Sequence, residues 1–547
     1  MNSQIFNKFP KRFITATAML VHLLVTPFGA YAAKNLIVMV PDGTGASHIT
    51  LTRWVKDIRN LAVDSMYAGV VRTYGADSLV TDSAPAATAF ATGHKSCDKF
   101  ISVLPGSVTI PGVDPVSDEL QYKPVATVLE GAKLMGKATG LVVTSNIQHA
   151  TPAAFSAHWP DRDHYNEIAE QQVYQDIDVV FGGGRQFLVP LSQGGTRTDG
   201  ENLLQVLKDR GVTVVETREE MLAVRADRVW GLFAQKDMQR DLDRAEFAPQ
   251  EPSLAEMTEK AIQILSKNPQ GFFLFVEGSQ VDWSSHGNDP VGVVTELLAF
   301  DRAVQVALDF AKQHGDTVVL VFSDHGNGGM SIGNASTTGT YSKMSFESVV
   351  DPLKKAKLTA EGIAKKIEKD RSESHIRSVL SRFWGIDDLT MEEIASIQNY
   401  QGKYLSNAIA PIMSRRANIG WTTGGHTGED LFFYHYGLNV PTGTVENTDL
   451  AYLSASVLGF TLADVDARLF RSAETVAAEH GATLSIDRSD PENPVLVLEN
   501  GWTARFPFSK DVLTLNGDNF RLKAPTIFSP KTGRVYINLE LESGGGL

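Results

Sequence analysis

The chain has 547 residues, of which 21% are charged, and its formal net charge at pH 7 is −14. This acidic balance excludes a nucleic-acid-binding protein, because such proteins need clustered basic residues to displace counterions. A single cysteine, Cys97, excludes an intramolecular disulfide. The length suffices for one large domain and one small domain.

The first 32 residues have the pattern of a secretory signal peptide. Three basic residues precede a mostly apolar run over 13–28, and Ala-Tyr-Ala at 30–32 has the small residues of a cleavage site. We predict cleavage before Ala33 and a periplasmic or secreted protein, with an uncleaved membrane anchor as the alternative. No later apolar run reaches the length of ~20 residues that a membrane span needs.

From residue 33 onward, short apolar segments alternate with helical patterns. The segments have little polar alternation, which is typical of strands buried on both faces of a sheet. The alternation predicts an α/β fold with a doubly wound, mostly parallel sheet. In such sheets ligands bind outside the carboxyl ends of the strands. The predicted strands are 35–40, 139–144, 178–181, 212–215, 228–233, 271–276 and 317–322.

Two later regions depart from this pattern. Residues 331–420 contain charged helical stretches, and we predict an inserted helical segment that lies over the site or at an oligomer interface. A solvated surface insertion is the alternative. A homodimer is compatible with the sequence.

Residues 481–547 consist of short alternating segments with glycine-containing turns. We therefore predict a catalytic domain over 33–480, which contains the insertion, and a small β-rich C-terminal domain over 481–547.

Five separated segments contain the residue types of a metal-assisted phosphoryl-transfer site. They are PDGTG at 41–45, TDSAPAATAFATG at 81–93, EGSQVDWSSHG at 277–287, SDHGNGG at 323–329 and GGHTG at 424–428. The candidate nucleophile is Ser83. Candidate metal ligands in these segments are Asp42, Glu277, Asp282, His286, Asp324, His325 and His426, and His149 lies outside them in QHATPAAF.

The ligand types indicate which metals to expect. Nitrogen and oxygen donors without a thiolate suit Zn²⁺ where histidines take part and Mg²⁺ where only oxygens do. Two neighbouring cations can stabilise the attacking and leaving oxygens of an in-line displacement. Asp282 and His286 are four residues apart, which places them on one face of a helical turn; a surface contact is the alternative for this pair.

Ser83 opens a stretch of small residues. A helix that begins there would direct its N-terminal amides and its dipole toward a phosphate group. A capped, alanine-rich structural helix is the alternative interpretation of this stretch.

In combination and in order, these motifs resemble the alkaline phosphatase family. Further matches are FGGGRQF at 181–187, DGENLLQVLKDRG at 199–211 and EPSLAEMTEKAIQIL at 251–265. The resemblance covers most of 34–330 and 421–458. It implies an alkaline-phosphatase-like fold and metal-dependent hydrolysis of phosphate monoesters to an alcohol and inorganic phosphate, at alkaline pH and through a phosphoserine intermediate.

The resemblance also implies roles for the site residues. Ser83 resembles the nucleophile, and Arg162 in HWPDR resembles the arginine that holds two phosphate oxygens. Two Zn²⁺ and one Mg²⁺ are implied per subunit. The first zinc would have the ligands Asp282, His286 and His426; the second would have Asp42, Asp324 and His325; the magnesium would share Asp42 with Thr151 and Glu277.

Two positions vary within the family. His149 stands where some members have an aspartate near the magnesium, and Trp283 stands where those members have a lysine. His149 leaves Zn²⁺ as an alternative in the third site. The combination resembles marine bacterial members with a large insertion.

Other functions on the same scaffold are a phosphodiesterase, a sulfatase or a phosphomutase. Within this superfamily, phosphodiesterases commonly use threonine and sulfatases need a modified cysteine, so Ser83 and Arg162 favour a monoesterase. An exported phosphate-binding or surface-interaction protein with a degenerate site is the alternative from another class, and a missing ligand would support it. The expected substrates are small phosphate monoesters.

Overall fold

The computed structural model describes residues 33–438 and 443–546. The predicted signal peptide lies outside the described residues. The strands are β1 (Asn35–Pro41), β2 (Tyr67–Arg72), β3 (Ala138–Asn146), β4 (Val179–Gly183), β5 (Thr213–Val215), β6 (Val229–Leu232), β7 (Phe272–Gly278), β8 (Thr317–Phe322), β9 (Gly326–Asn327), β10 (Ser331–Ile332), β11 (Ile419–Gly420), β12 (His426–Thr427), β13 (Leu431–Tyr436), β14 (Thr444–Glu446), β15 (Arg471–Ser472), β16 (Thr483–Asp487), β17 (Val495–Glu499), β18 (Thr503–Pro507), β19 (Val512–Leu515), β20 (Asp518–Leu522), β21 (Ile527–Phe528), β22 (Val535–Ile537) and β23 (Leu541–Gly546).

The α-helices occupy most of the chain between these strands. They are α1 (Ala46–Val55), α2 (Ser83–Thr92), α3 (Val128–Leu134), α4 (Ala150–Ser156), α5 (Tyr165–Tyr174), α6 (Leu203–Asp209), α7 (Arg218–Ala223), α8 (Asp241–Phe247), α9 (Leu254–Leu265), α10 (Gln280–His286), α11 (Pro290–His314), α12 (Phe346–Lys355), α13 (Ala360–Ile367), α14 (Glu373–Trp384), α15 (Met391–Gln398), α16 (Ser406–Arg416), α17 (Asn447–Leu458), α18 (Leu462–Leu469) and α19 (Ala473–His480).

A ten-stranded sheet forms the centre of the molecule, in the order β14-β2-β13-β8-β1-β7-β3-β4-β6-β5. All its neighbouring strands are parallel except β13, which runs antiparallel to both β2 and β8. All seven predicted strands are present in it, as β1 and β3 to β8. The predicted α/β, mostly parallel fold is confirmed.

Helices cover both faces of this sheet, as the apolar strands require. Along β1, Leu36 and Val38 belong to one buried cluster, while Ile37 and Met39 belong to the other. The first cluster packs against α2 to α6 and α17, and the second packs against α9 and α11. Because both faces are buried, these strands show no alternation of polar and apolar residues.

The segment 331–420 begins and ends at a short antiparallel pairing of β10 with β11. Between these strands lie the five helices α12 to α16. Their apolar side chains form a third cluster, which includes Leu51 of α1 and both Val291 and Val294 of α11. The segment therefore packs onto the helix that follows α10.

The C-terminal region is a six-stranded antiparallel sheet, in the order β16-β17-β18-β19-β20-β23. One face of it packs with α19 in a cluster of its own. This agrees with the predicted β-rich C-terminal part.

In the described part of the chain no single helix is both long enough and apolar enough to span a membrane. Only α17 and α18, a pair of helices bent at their junction, reach that length and apolarity together.

Buried charges join the C-terminal sheet to the part of the chain that contains the ten-stranded sheet. Asp511 is fully buried, and its two carboxylate oxygens accept from Arg210 at 2.9 and 2.5 Å. Arg521 of β20 donates to Asp511 at 3.2 Å and lies 3.0 Å from Asp176, which follows α5. Without Asp511, Arg210 and Arg521 would share Asp176 as their remaining carboxylate, and the buried positive charge would be only partly compensated.

Asp511→Ala should lower the free energy of unfolding by about 3 kcal/mol, because it removes one partner of a buried ion pair. Urea denaturation measures the change. The control is Asp487→Ala, whose partner Arg505 lies at 2.6 Å on the exposed side of the same sheet; surface pairs of this kind contribute little. Equal stability of the two variants would contradict the structural role of Asp511.

Candidate active site at the carboxyl edge of the sheet

The predicted ligands converge where three adjacent strands end. Asp42 directly follows β1, Glu277 is the penultimate residue of β7, and Asp324 comes two residues after β8. Because β7, β1 and β8 are parallel neighbours, their carboxyl ends meet at one edge. The three carboxylates are almost completely buried there.

Ser83 is the first residue of α2, a helix of small side chains that is buried along its whole length. Asp82 caps the helix, since its side chain accepts a hydrogen bond from the Ala84 amide. The Ser83 side chain is 2% exposed, and its Oγ lies 3.0 Å from Nε2 of His325. The helix at Ser83 is present, and its first residue contacts His325, a candidate ligand.

The residues predicted for the first zinc form one group. Nε2 of His286 lies 3.2 Å from Nε2 of His426 and 3.4 Å from a carboxylate oxygen of Asp282. The Nδ1 atoms are held by backbone carbonyls, of Gly424 at 2.8 Å for His286 and of Thr81 at 2.9 Å for His426. These bonds orient the rings so that both Nε2 atoms point to a common centre, as metal-binding histidines require.

The residues predicted for the second zinc form a neighbouring group. Nε2 of His325 lies 3.4 Å from Oδ1 of Asp42 and 3.2 Å from Oδ2 of Asp324. A ligand atom of His325 also lies within 4.8 Å of ligand atoms of Asp282 and His426. His325 therefore connects the two groups and contacts the candidate nucleophile.

The third group combines Asp42, Glu277 and His149, whose ligand atoms lie within 4.8 Å of one another. Thr151 lies beside Glu277. Both carboxylate oxygens of Asp42 and of Glu277, the hydroxyl of Thr151 and Nδ1 of His149 are buried without a hydrogen-bond partner. Burial and the charge of Asp324 raise the pKa of Glu277 to about 8.

Buried carboxylates without donors are costly unless a cation compensates them. Burial, followed by the charges of Asp324, Asp282 and Glu277, raises the pKa of Asp42 well above its usual value. The oxygen and imidazole donors present are those that Zn²⁺ and Mg²⁺ use in proteins. The residues in place therefore fit bound divalent cations at all three groups.

Arg162 points into the site. Its Nη1 donates to both carboxylate oxygens of Asp82, at 2.7 and 2.6 Å, and its Nη2 lies 3.0 Å from Nε2 of His149. Although burial opposes the shift, the Arg162 charge lowers the pKa of Asp82 to about 2. The neighbouring Asp163 pairs instead with Lys99 at 2.6 Å, so Arg162 is not part of a surface pair with it.

Two supporting residues were missed by the sequence analysis. Asn327 donates to Oδ1 of Asp282 at 2.6 Å, which fixes that carboxylate. Asp82 directly precedes Ser83 in the quoted motif, and this position was the sequence signal that Asp82 belongs to the site. Asn327 also lies in a quoted motif, but only the fold shows which ligand it contacts.

Comparisons with known proteins agree with this geometry. A family model for alkaline phosphatase matches residues 33–460. Alkaline phosphatase 3 of Bacillus subtilis is 38% identical over 442 residues, which cover 76% of this chain and 87% of that protein. The repressible alkaline phosphatase of Saccharomyces cerevisiae is 32% identical over 490 residues, which cover 80% and 83%.

Solved structures show the same relation. The alkaline phosphatase of Thermus thermophilus matches with a TM-score of 0.70 and 27% identity, over 83% of this chain and all of that one. The enzyme of the Antarctic bacterium TAB5 matches with a TM-score of 0.55 and 26% identity, over 79% and 100%. A variant of the TAB5 enzyme with aspartate in place of a histidine has Mg bound in its M3 site.

The sheet topology and the grouped side chains define an α/β protein with a site that fits metal ions. The chain belongs to the alkaline phosphatase family. The predicted enzyme class is thereby confirmed.

A buried histidine outside the ligand groups links two of the site's segments. The Gly45 amide donates to Nδ1 of His48 at 3.1 Å, so Nε2 carries the proton and donates to Oγ of Ser285 at 3.1 Å. His48 thus joins the loop after Asp42 to α10. Burial lowers its pKa from the usual 6.5 to about 4, and the folded protein holds the neutral imidazole.

His48→Gln should flatten the dependence of unfolding free energy on pH between about 6.5 and 4. In the wild type, acidification through this window protonates His48 in the unfolded chain before the folded one. Stability that is present above pH 6.5 is therefore lost as the pH falls toward 4. The stability difference between variant and wild type should change by about 3 kcal/mol across the window, as measured by urea denaturation.

The control is His314→Gln, at the exposed C-terminal end of α11. All three proteins are measured after metal has been removed by chelation, and the difference between each variant and the wild type is the readout. A His48→Gln profile parallel to that of the wild type would contradict the assigned effect.

Proposed function

We propose that the chain hydrolyses phosphate monoesters to an alcohol and inorganic phosphate, at alkaline pH and with Ser83 as the nucleophile. The observation that carries this proposal is the position of Ser83 Oγ. It lies at the N-terminus of α2 and 3.0 Å from His325, which belongs to one ligand group and adjoins another. A hydroxyl in this position can attack phosphorus and form a phosphoserine.

The ligand groups would hold two Zn²⁺ and one Mg²⁺ per subunit. Bound cations would lower the pKa of a coordinated hydroxyl or water and neutralise charge that develops on the phosphoryl oxygens. The zinc ligands would be the residues of the first two groups. The third group has mostly oxygen donors, which suits Mg²⁺, and His149 makes Zn²⁺ the alternative there.

Arg162 would bind two non-bridging oxygens of the phosphoryl group. Asp82 and His149 hold its guanidinium from two sides. A planar fork has five N–H donors, so donors stay available for phosphate after these contacts are made. A monoester offers more free oxygens than a diester, and this arrangement therefore favours monoesters.

The proposal includes export. The pattern of residues 1–32 supports a signal peptide that is cleaved before Ala33 and a periplasmic or secreted enzyme. It also includes the division into a catalytic domain over 33–480 with the insertion 331–420, and a C-terminal domain over 481–547. A homodimer is the open alternative to a monomer.

Removal of metal tests the proposal most directly. Chelation should abolish hydrolysis of p-nitrophenyl phosphate, and Zn²⁺ with Mg²⁺ should restore it, because the carboxylate oxygens of Asp42 and Glu277 are buried without a hydrogen-bond partner. His426→Ala should lower the zinc content measured by elemental analysis. His164→Ala, an exposed histidine outside the groups, is the control. Full activity of completely chelated protein would exclude a metal-dependent reaction.

Ser83→Ala should reduce kcat by about 1000-fold or more, because it removes the attacking atom. The fold and the metal content should stay unchanged. Single-turnover labelling with a phosphate monoester should give no phosphoserine. The control is Ser78→Ala, a serine that lines the cavity next to Asp82 and His426. Near-normal turnover of the Ser83 variant would remove this residue from the reaction.

Arg162→Ala should lower kcat/KM for a monoester by roughly ten- to hundred-fold, the equivalent of about 1.5–3 kcal/mol for a charge-assisted contact. Diester hydrolysis should fall less, and Arg162→Lys should restore only part of the loss, because an ammonium lacks the planar fork. Lys99→Ala is the control, since Lys99 is a neighbouring exposed cation. An equal loss on monoester and diester would refute the assigned role.

A further inference from the structure

Helix α10 carries two of the zinc-ligand candidates, Asp282 and His286, yet it is only seven residues long. A helix this short is unstable alone and takes its position from tertiary contacts. The contacts that hold α10 therefore decide where both ligands lie. One of them comes from Arg240, which precedes α8 and is 8% exposed.

Arg240 connects α10 to the inserted segment. Its Nη1 donates to the Gln280 carbonyl at 2.6 Å and to Ser284 Oγ at 3.2 Å, both within α10. Its Nε donates to Glu361 of α13 at 3.1 Å. The guanidinium also lies 5.7 Å from the ring centre of Trp283. One buried side chain thus bridges the insertion and the ligand-bearing helix.

The beginning of α13 is fixed on the catalytic part by two buried carboxylates. Asp243 accepts from the amide of Thr359 at 2.8 Å and from its hydroxyl at 2.6 Å. Asp289 accepts from the amide of Ala360 at 2.8 Å. Negative charge is favourable at a helix N-terminus. Glu361, in the same turn, is therefore held in a defined place relative to Arg240.

The contacts continue from α10 to the phosphate-binding candidate. Trp283 packs edge-on against His149, with ring centres 5.6 Å apart, and His149 contacts Arg162 at 3.0 Å. Arg240 therefore lies against the residues that position both the ligands on α10 and the arginine of the site.

We infer that Arg240 is a positioning residue of the active site and that Glu361 of the inserted segment acts through it. A buried guanidinium needs a carboxylate partner, and Glu361 supplies it from the insertion. Paired in this way, Arg240 holds the first turn of α10 and with it Asp282 and His286. The insertion is then a structural part of the site, a role that neither an oligomer interface nor a surface decoration provides.

The inference rests on the proposed metal-dependent function, and its test has a readout besides activity. The variants are Arg240→Met, Glu361→Gln and the two combined. The control is Glu246→Gln, because Glu246 pairs with Lys366 across the same junction and does not contact α10. Its side chain is 46% exposed and that of Glu361 is 41% exposed, so the two glutamates are closely matched.

Each protein, loaded with Zn²⁺ and Mg²⁺, is dialysed against increasing EDTA, and retained metal is measured by elemental analysis. The EDTA concentration that removes half of the metal should fall by about ten-fold in Arg240→Met, in line with losses caused by changes around metal ligands. Glu361→Gln should show a smaller fall, and the double variant should match Arg240→Met. Glu246→Gln should match the wild type. After reloading with metal, kcat should fall in the same order.

An unchanged EDTA midpoint in Arg240→Met, an equal fall in Glu246→Gln, or additive falls in the double variant would overturn the inference. If Arg240→Met does not fold, Arg240→Lys and Glu361→Gln decide in its place: the inference requires both to lower the midpoint, and it fails if either retains metal like the wild type. A wild type without metal and without monoesterase activity would instead refute the proposed function.

Discussion

Three carboxylates, those of Asp42, Glu277 and Asp324, are buried side by side at the ends of parallel strands with too few donors to satisfy them. Their mutual repulsion and desolvation oppose folding unless cations lie among them. The other residues of the site are arranged around these three carboxylates. Imidazoles complete the ligand groups, Ser83 lies against one of them, and Arg162 adds a further positive charge. Metal binding as proposed would therefore be coupled to the stability of this edge of the sheet.

The strands fix the carboxylates, whereas the histidines depend on short elements. His286 ends a seven-residue helix, and His426 begins a two-residue strand, β12, that pairs with β9. Such elements have little stability of their own. Backbone carbonyls orient the two rings, His48 joins α10 to the loop after Asp42, and Arg240 joins α10 to the insertion. Residues outside the ligand motifs, such as His48 and Arg240, thus help to position the candidate ligands.

The central fold could be predicted because its strands are buried on both faces and read as continuous apolar runs. Three strands of the central sheet were not predicted, and two of them differ in this respect. β2 has mostly exposed or half-buried side chains, and β14 has three residues at the sheet's edge. β13 contains Tyr434 and His435, and it runs against the direction of its neighbours. Four of its six residues are buried, and its antiparallel pairing with β8 and β2 places it inside the sheet.

By itself, the sequence determined the class of fold, the nucleophile candidate and the set of ligand types, because apolar periodicity and residue chemistry are local properties. The resemblance to a known family implied which ligands share a centre, but only the tertiary structure brings these side chains within contact distance. Ser83 and His325 are 242 positions apart and meet at 3.0 Å, and Arg162 meets Asp82 across 80 positions. The same holds for Arg240, whose surroundings in the chain contain no ligand motif. Contacts between distant segments arise from the winding of the sheet and the packing of its helices. Local sequence patterns therefore do not predict them.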